Sequence, residues 1–121
     1  MAKRVMIVDD AQFMRMVIKD IVVKMGLEVV GEAGNGEEAI KAYDLYRPEL
    51  VTMDITMPNM DGISCIEVLM NKNPQLRILV ISALADKLTG ILALEKGARG
   101  FLAKPFNDRQ LNDALCELVR D

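Results

Sequence analysis

The sequence predicts an α/β fold: five βα units forming one open, doubly wound parallel sheet with helices on both faces, a three-layer sandwich. Three observations predict it. Five short runs rich in Val, Ile and Leu recur along the chain, at RVMIV (4–8), LEVVG (27–31), LVTM (50–53), RILVI (77–81) and RGFLA (99–103). Their apolar character is continuous rather than alternating, as in strands covered on both faces. Segments of helical spacing separate them, and right-handed crossovers of that kind make the sheet parallel. Five units fall short of an eightfold barrel, which needs about 250 residues. The open sheet remains, and its usual five-strand form is the flavodoxin-like order 2-1-3-4-5.

Each element can be justified in turn. The first strand ends on two acids, Asp9 and Asp10. Behind them Phe13, Met16, Val17, Ile21 and Met25 trace one helical face, expected to point inward, before Gly26 stops the helix. After the second strand comes AGNGEEA, which resembles a glycine loop but lacks the Lys and Ser/Thr of a phosphate-binding loop. It reads as a turn and a helix start at Asn35-Gly36, with Ala39, Ile40, Tyr43 and Tyr46 inward and Pro48 beyond the end. The third strand ends at Asp54, and its helix runs from about Ile63 to Met70, before Pro74. The fourth strand leads to Ser82 and a helix over about 85–96, ended by Gly97. Lys104 follows the fifth strand, and a helix from about Asp108 to Val119 closes the chain.

At 121 residues this reads as one domain, 1–121, with a single core. No apolar stretch approaches the roughly 18 residues that span a bilayer, and MAKRVMIVDD is not a secretory signal. A cytoplasmic protein without a membrane partner is expected. The net charge is −3, the 15 basic residues are dispersed, and aromatics make up 4%, so nucleic-acid binding is not expected. Cys65 and Cys116 form no paired motif, and each reads as a buried, inert thiol in a helix. The Met-rich segments (Met14, Met16; Met53, Met57, Met60) read as core and turn packing. The chain contains no histidine, which removes the commonest general base and transition-metal ligand. Any chemistry must use carboxylates, hydroxyls, lysines and hard cations.

Ligands of such sheets bind beyond the carboxyl ends of the strands where strand order reverses, here between strands 1 and 3. Asp9, Asp10, Asp54, Ser82 and Lys104 all converge on that edge. Two like charges about 4 Å apart repel by about 4 kcal/mol at an effective dielectric near 20, equivalent to roughly three pKa units. Three carboxylates there demand a cation, and Mg²⁺ suits an all-oxygen site that keeps several waters and takes a phosphate. Each residue also has an ordinary reading: Asp10 as N-cap of the first helix, Asp54 as the start of a turn, Ser82 as a cap, Lys104 as a surface lysine.

The motifs IVDD, MDITMPNMDG, ISA and KPF, in this order and spacing over the whole chain, resemble the receiver domains of two-component response regulators. With AQFMR after the acid pair, the likeness is greatest to the stand-alone chemotaxis regulators. The resemblance implies a signalling switch rather than an enzyme, and it implies roles. Asp54 would be the phosphoacceptor, attacking a donor phosphohistidine. Asp9, Asp10, Asp54 and the Thr56 backbone carbonyl would hold Mg²⁺. Lys104 and Ser82 would take phosphoryl oxygens, Lys104-Pro105 would be cis, and Asp61-Gly62 and Pro58 would shape the turn after strand 3. Ser82 and Phe101 would relay the change to a surface of helix 4, strand 5 and helix 5. Phe101 stands where tyrosine is more frequent and also reads simply as core. Gly90, inside helix 4, reads either as weakening a mobile helix or as allowing close packing. Leu84, beside the pocket, offers no group to orient an attacking water.

The implied partners are a sensor histidine kinase of chemotaxis type, the flagellar motor switch and a dedicated phosphatase, with the chain a monomer. Four other roles compete, one of them a degenerate receiver acting as a constitutive scaffold, against which the complete cluster argues. A phosphorelay intermediate of sporulation type uses the same residues. An aspartate-nucleophile phosphatase would need a second acid where Thr56 stands. A flavin module would need a Ser/Thr/Gly-rich loop where DDAQFMR lies.

Overall fold

The computed structural model describes residues 3–55, 61–83 and 87–120. The five strands are β1 (Arg4–Val8), β2 (Glu28–Ala33), β3 (Leu50–Met53), β4 (Arg77–Ser82) and β5 (Gly100–Ala103). They alternate with helices α1 (Gln12–Lys24), α2 (Gly36–Tyr46), α3 (Gly62–Lys72), α4 (Lys87–Glu95) and α5 (Asp108–Val119). All neighbouring strands are parallel, in the order β2-β1-β3-β4-β5, as the sequence predicts.

Two apolar layers flank the sheet, which is why its central strands are continuously apolar. Met6, Val8, Val51, Met53, Ile78 and Val80 pack beneath α2, α3 and α4, against residues such as Tyr43, Ile66 and Leu69. Val5, Ile7, Leu50, Leu79 and Ile81 pack on the other face against Ile18, Ile21 and Val22 of α1 and Leu111, Leu115 and Leu118 of α5. Burying each such side chain contributes roughly 1.5–3 kcal/mol before ordering costs. Among the described residues, no helix is long and apolar enough to cross a membrane.

The helix ends follow local chemistry. Gly26, at φ +84°, takes the left-handed turn that ends α1. Asn35 caps α2 by accepting from the Glu38 N–H, and Asn107 and Gln110 form a reciprocal capping box on α5.

Several inward assignments are corrected. Phe13 and Met16 are 73% and 61% exposed, because α1 turns Ile18 and Val22, beside the expected Ile21, to the sheet instead. Tyr46 is partly exposed at the end of α2, where its ring lies over Gly31 of edge strand β2. That strand continues to Ala33, two residues beyond the expected end. Cys65 is buried, and burial followed by the nearby charge of Asp61 pushes its thiol up to about 12, so it is inert. Cys116, however, is exposed, since α5 directs Leu111, Leu115 and Leu118 inward. Met57, Met60 and the start of the expected fourth helix lie outside the described residues.

Candidate functional site

Because the strands are parallel, the residues that follow them share one edge. Asp9 and Asp10 follow β1, Asp54 follows β3, Ser82 ends β4 and Lys104 follows β5. Asp9, Asp54 and Ser82 are buried at 1%, 3% and 0% exposure, whereas Asp10 is exposed. One carboxylate oxygen from each of Asp9, Asp10 and Asp54 lies within 4.8 Å of the other two. Buried carboxylates this close require compensation.

Lys104 provides part of it. Its Nζ lies 2.7 Å from Asp9 Oδ2 and 3.5 Å from Asp54 Oδ2, and its side chain is 17% exposed. The Lys104-Pro105 peptide bond is cis, as the family likeness implies, and the Lys104 N–H donates to the Ser82 carbonyl at 2.9 Å. Burial works to lower the Lys104 pKa, but the hydrogen bond to Asp9 and the charges of Asp54 and Asp9 outweigh it and hold the pKa above that of an ordinary lysine. The ammonium is therefore charged at neutral pH and offsets one of three negative charges.

Two of the ordinary readings fail. Asp10 does not cap α1, whose N-cap is Ala11 with no side-chain bond. Lys104 is not a free surface lysine. Asp9 Oδ1 instead accepts from the Ala11 N–H at 2.9 Å, which pins the loop that carries both acids. Asp61 caps α3 by accepting from the Ser64 N–H. Gly62 is required there, since a Cβ would lie 2.6 Å from the Asp54 carbonyl oxygen and against the Ile55 Cα. The helix start is thus pressed against the two residues that follow β3. Thr56, Pro58 and Leu84 lie outside the described residues. Phe101 is partly buried against the α3/α4 layer. A Cβ on Gly90 would meet its ring at 3.7 Å, an ordinary contact, so packing does not demand glycine at that position.

The donor set fits Mg²⁺. At Mg–O bonds of about 2.1 Å, opposite oxygens of an octahedron lie about 4.2 Å apart, so oxygens within 4.8 Å need little movement to close on one ion. The donors are all oxygen, and both thiols lie away from the cluster, on α3 and α5.

Sequence reasoning gave no role to Arg15 or Thr52. Arg15 Nη1 donates to the Asp9 carbonyl at 2.5 Å, and its Nε donates to Glu32 at 3.3 Å. No spacing rule connects an arginine on α1 to a strand-end carbonyl. Thr52 is buried on β3, and among the described residues its hydroxyl has no hydrogen-bond partner. It was hidden within the apolar run LVTM.

The chain matches the response regulator receiver domain family over residues 5–116. It is 50% identical to the chemotaxis protein CheY of Thermotoga maritima, over 99% of this chain and 100% of that one. It is 49% identical to CheY of Bacillus subtilis, over 95% and 96% of the two chains. Among solved structures, it superposes with a TM-score of 0.95 on a chain of the CheX-CheY-BeF3-Mg complex of Borrelia burgdorferi, at 32% identity over 98% of this chain and 90% of that one.

Proposed function

This chain belongs to the response regulator receiver family and is a CheY-like chemotaxis signalling regulator, and from that premise we propose that Asp54 is its phosphoacceptor, acting in a Mg²⁺-dependent reaction. The observation that carries the proposal is the cluster itself: three carboxylates within 4.8 Å, two of them buried, with one ammonium reaching Asp9 and Asp54.

Asp9, Asp10 and Asp54 would hold the metal; Thr56, which the family likeness adds as a backbone ligand, lies outside the described residues. When bound, Mg²⁺ supplies the positive charge that lets an anionic carboxylate and a phosphoryl group approach. A carboxylate oxygen of Asp54 attacks the phosphorus of a kinase phosphohistidine in line; the P–N bond breaks and its electron pair leaves with the imidazole. Phosphoryl transfer of this kind depends mainly on positioning and charge neutralisation. Lys104 ion-pairs with one phosphoryl oxygen, and the Ser82 hydroxyl donates to another.

The product carries an added charge of about −1.5 to −2 at the end of the sheet. Ser82, one strand from Phe101, draws toward it, and Phe101 turns inward beneath α4. The absence of a phenolic hydroxyl makes this a packing switch. Leu88, Ile91, Leu92 and Leu94 of α4 are exposed, which supports α4, β5 and α5 as the output surface. The flagellar motor switch is the effector, and a dedicated phosphatase resets the signal.

The test is incubation with acetyl phosphate and Mg²⁺, read by intact mass. One added phosphoryl group is expected, lost in Asp54→Asn and in EDTA. No addition, or addition that survives Asp54→Asn, would sink the proposal.

A further inference from the structure

Every polar group of Asp9 is engaged. Its N–H donates to the Ala33 carbonyl at 3.0 Å, Oδ1 accepts from Ala11, Oδ2 receives Lys104, and its carbonyl accepts from Arg15 Nη1 at 2.5 Å. Asp10 is the opposite case: it is exposed and makes no hydrogen bond or ion pair among the described residues. Its backbone is held on both sides: the Ala11 N–H after it donates to Asp9 Oδ1, and the oxygen of the Asp9–Asp10 peptide plane before it is the atom Arg15 holds. The guanidinium is anchored on its far side, since Nε donates to Glu32 Oε1 on β2, and Glu32 also pairs with Lys19 at 3.6 Å. A rigid planar fork can hold both partners at once, whereas a lysine ammonium is a single flexible point.

We infer that Arg15 is a positioning residue for the cation site, fixing the peptide plane from which Asp10 reaches a divalent metal. This rests on reading Asp9, Asp10 and Asp54 as the Mg²⁺ site. Charge and positioning make opposite predictions. Arg15 is a cation near the site, so on charge alone its removal tightens Mg²⁺ binding. If it positions Asp10, its removal weakens binding.

The experiment is calorimetric titration of the full chain with MgCl₂ at fixed ionic strength, alongside metal-free melting temperatures. Arg15→Met, which keeps an apolar stem and removes the donors, should bind about tenfold more weakly, the usual scale for loss of an outer-shell partner. Arg15→Lys should fall between it and the wild type. Wild-type or tighter affinity in Arg15→Met overturns the inference, as does a lowered melting temperature with unchanged affinity. If Arg15→Met does not fold, Arg15→Lys decides, and wild-type affinity there overturns it. A wild-type chain that binds no Mg²⁺ removes the metal-site reading and the inference together. Loss of binding only in Asp10→Asn leaves the metal site standing and overturns the role of Arg15.

Discussion

Replacing Asp10 with asparagine should stabilise the metal-free protein and leave the Mg²⁺-loaded protein less stable than wild type. Asp10 has two carboxylate neighbours with oxygens within 4.8 Å. At that separation two unit charges repel by about 3.5 kcal/mol at an effective dielectric of 20, and by about 0.9 kcal/mol in bulk water. Asp10 is exposed, so screening pulls each term toward the lower figure, and Lys104 offsets part of the remainder. Removing its charge should therefore yield about 1–2 kcal/mol. Asparagine keeps the shape, and no hydrogen bond among the described residues is lost. For 121 residues, 1 kcal/mol corresponds to about 4 °C, so the melting temperature in EDTA should rise by about 4–8 °C. With Mg²⁺ at 100 times its dissociation constant, the wild type gains about 2.7 kcal/mol, most of which the variant forfeits with one of its three carboxylate ligands. Thermal melts by circular dichroism in EDTA and across a Mg²⁺ titration should show the order of stabilities reverse. A variant less stable than wild type in EDTA, or one that Mg²⁺ stabilises equally, would refute the reasoning.

Thr52→Val should raise stability by about 1 kcal/mol in urea titration, because valine has the same shape and an unpaired buried hydroxyl costs about 1–3 kcal/mol; a loss of stability would show that the hydroxyl has a partner. Gly62→Ala should cost at least about 1–3 kcal/mol and reduce acetyl phosphate labelling, since a Cβ at 2.6 Å from the Asp54 carbonyl oxygen must displace the end of β3. Unchanged labelling would mean that α3 can withdraw without moving Asp54. The Lys104 pKa lies above 10.5 in the fold, so its contribution is complete below pH 10.5 and is lost as pH rises through the higher folded value. The stability difference between wild type and Lys104→Met should accordingly be constant from neutral pH to about pH 10 and shrink above it. A difference that persists undiminished in strong alkali would exclude the ammonium as its source.

Most of the fold and much of the candidate site could be read from residues in order. The five apolar runs marked the strands because a strand covered on both faces must be apolar throughout. The helical segments between them made the sheet parallel, and its usual five-strand order then placed Asp9, Asp10, Asp54, Ser82 and Lys104 at one edge. The buried face of α1 was only partly legible: Ile21, Val17 and Met25 do turn inward, Phe13 and Met16 do not. Phe13, Met14, Met16, Val17, Ile18, Ile21, Val22 and Val23 surround most of that helix, and spacing alone offers several candidate stripes. Only the position of the sheet chose Ile18, Ile21 and Val22 and left Phe13 and Met16 outside. The pairing of Lys104 with Asp9, the grip of Arg15 on the Asp9 carbonyl and the unpaired hydroxyl of Thr52 likewise belong to tertiary structure. Periodicity is a property of neighbours along the chain. Charge compensation at the strand ends joins residues as far apart as Asp9 and Lys104, and the packed sheet alone fixes those distances.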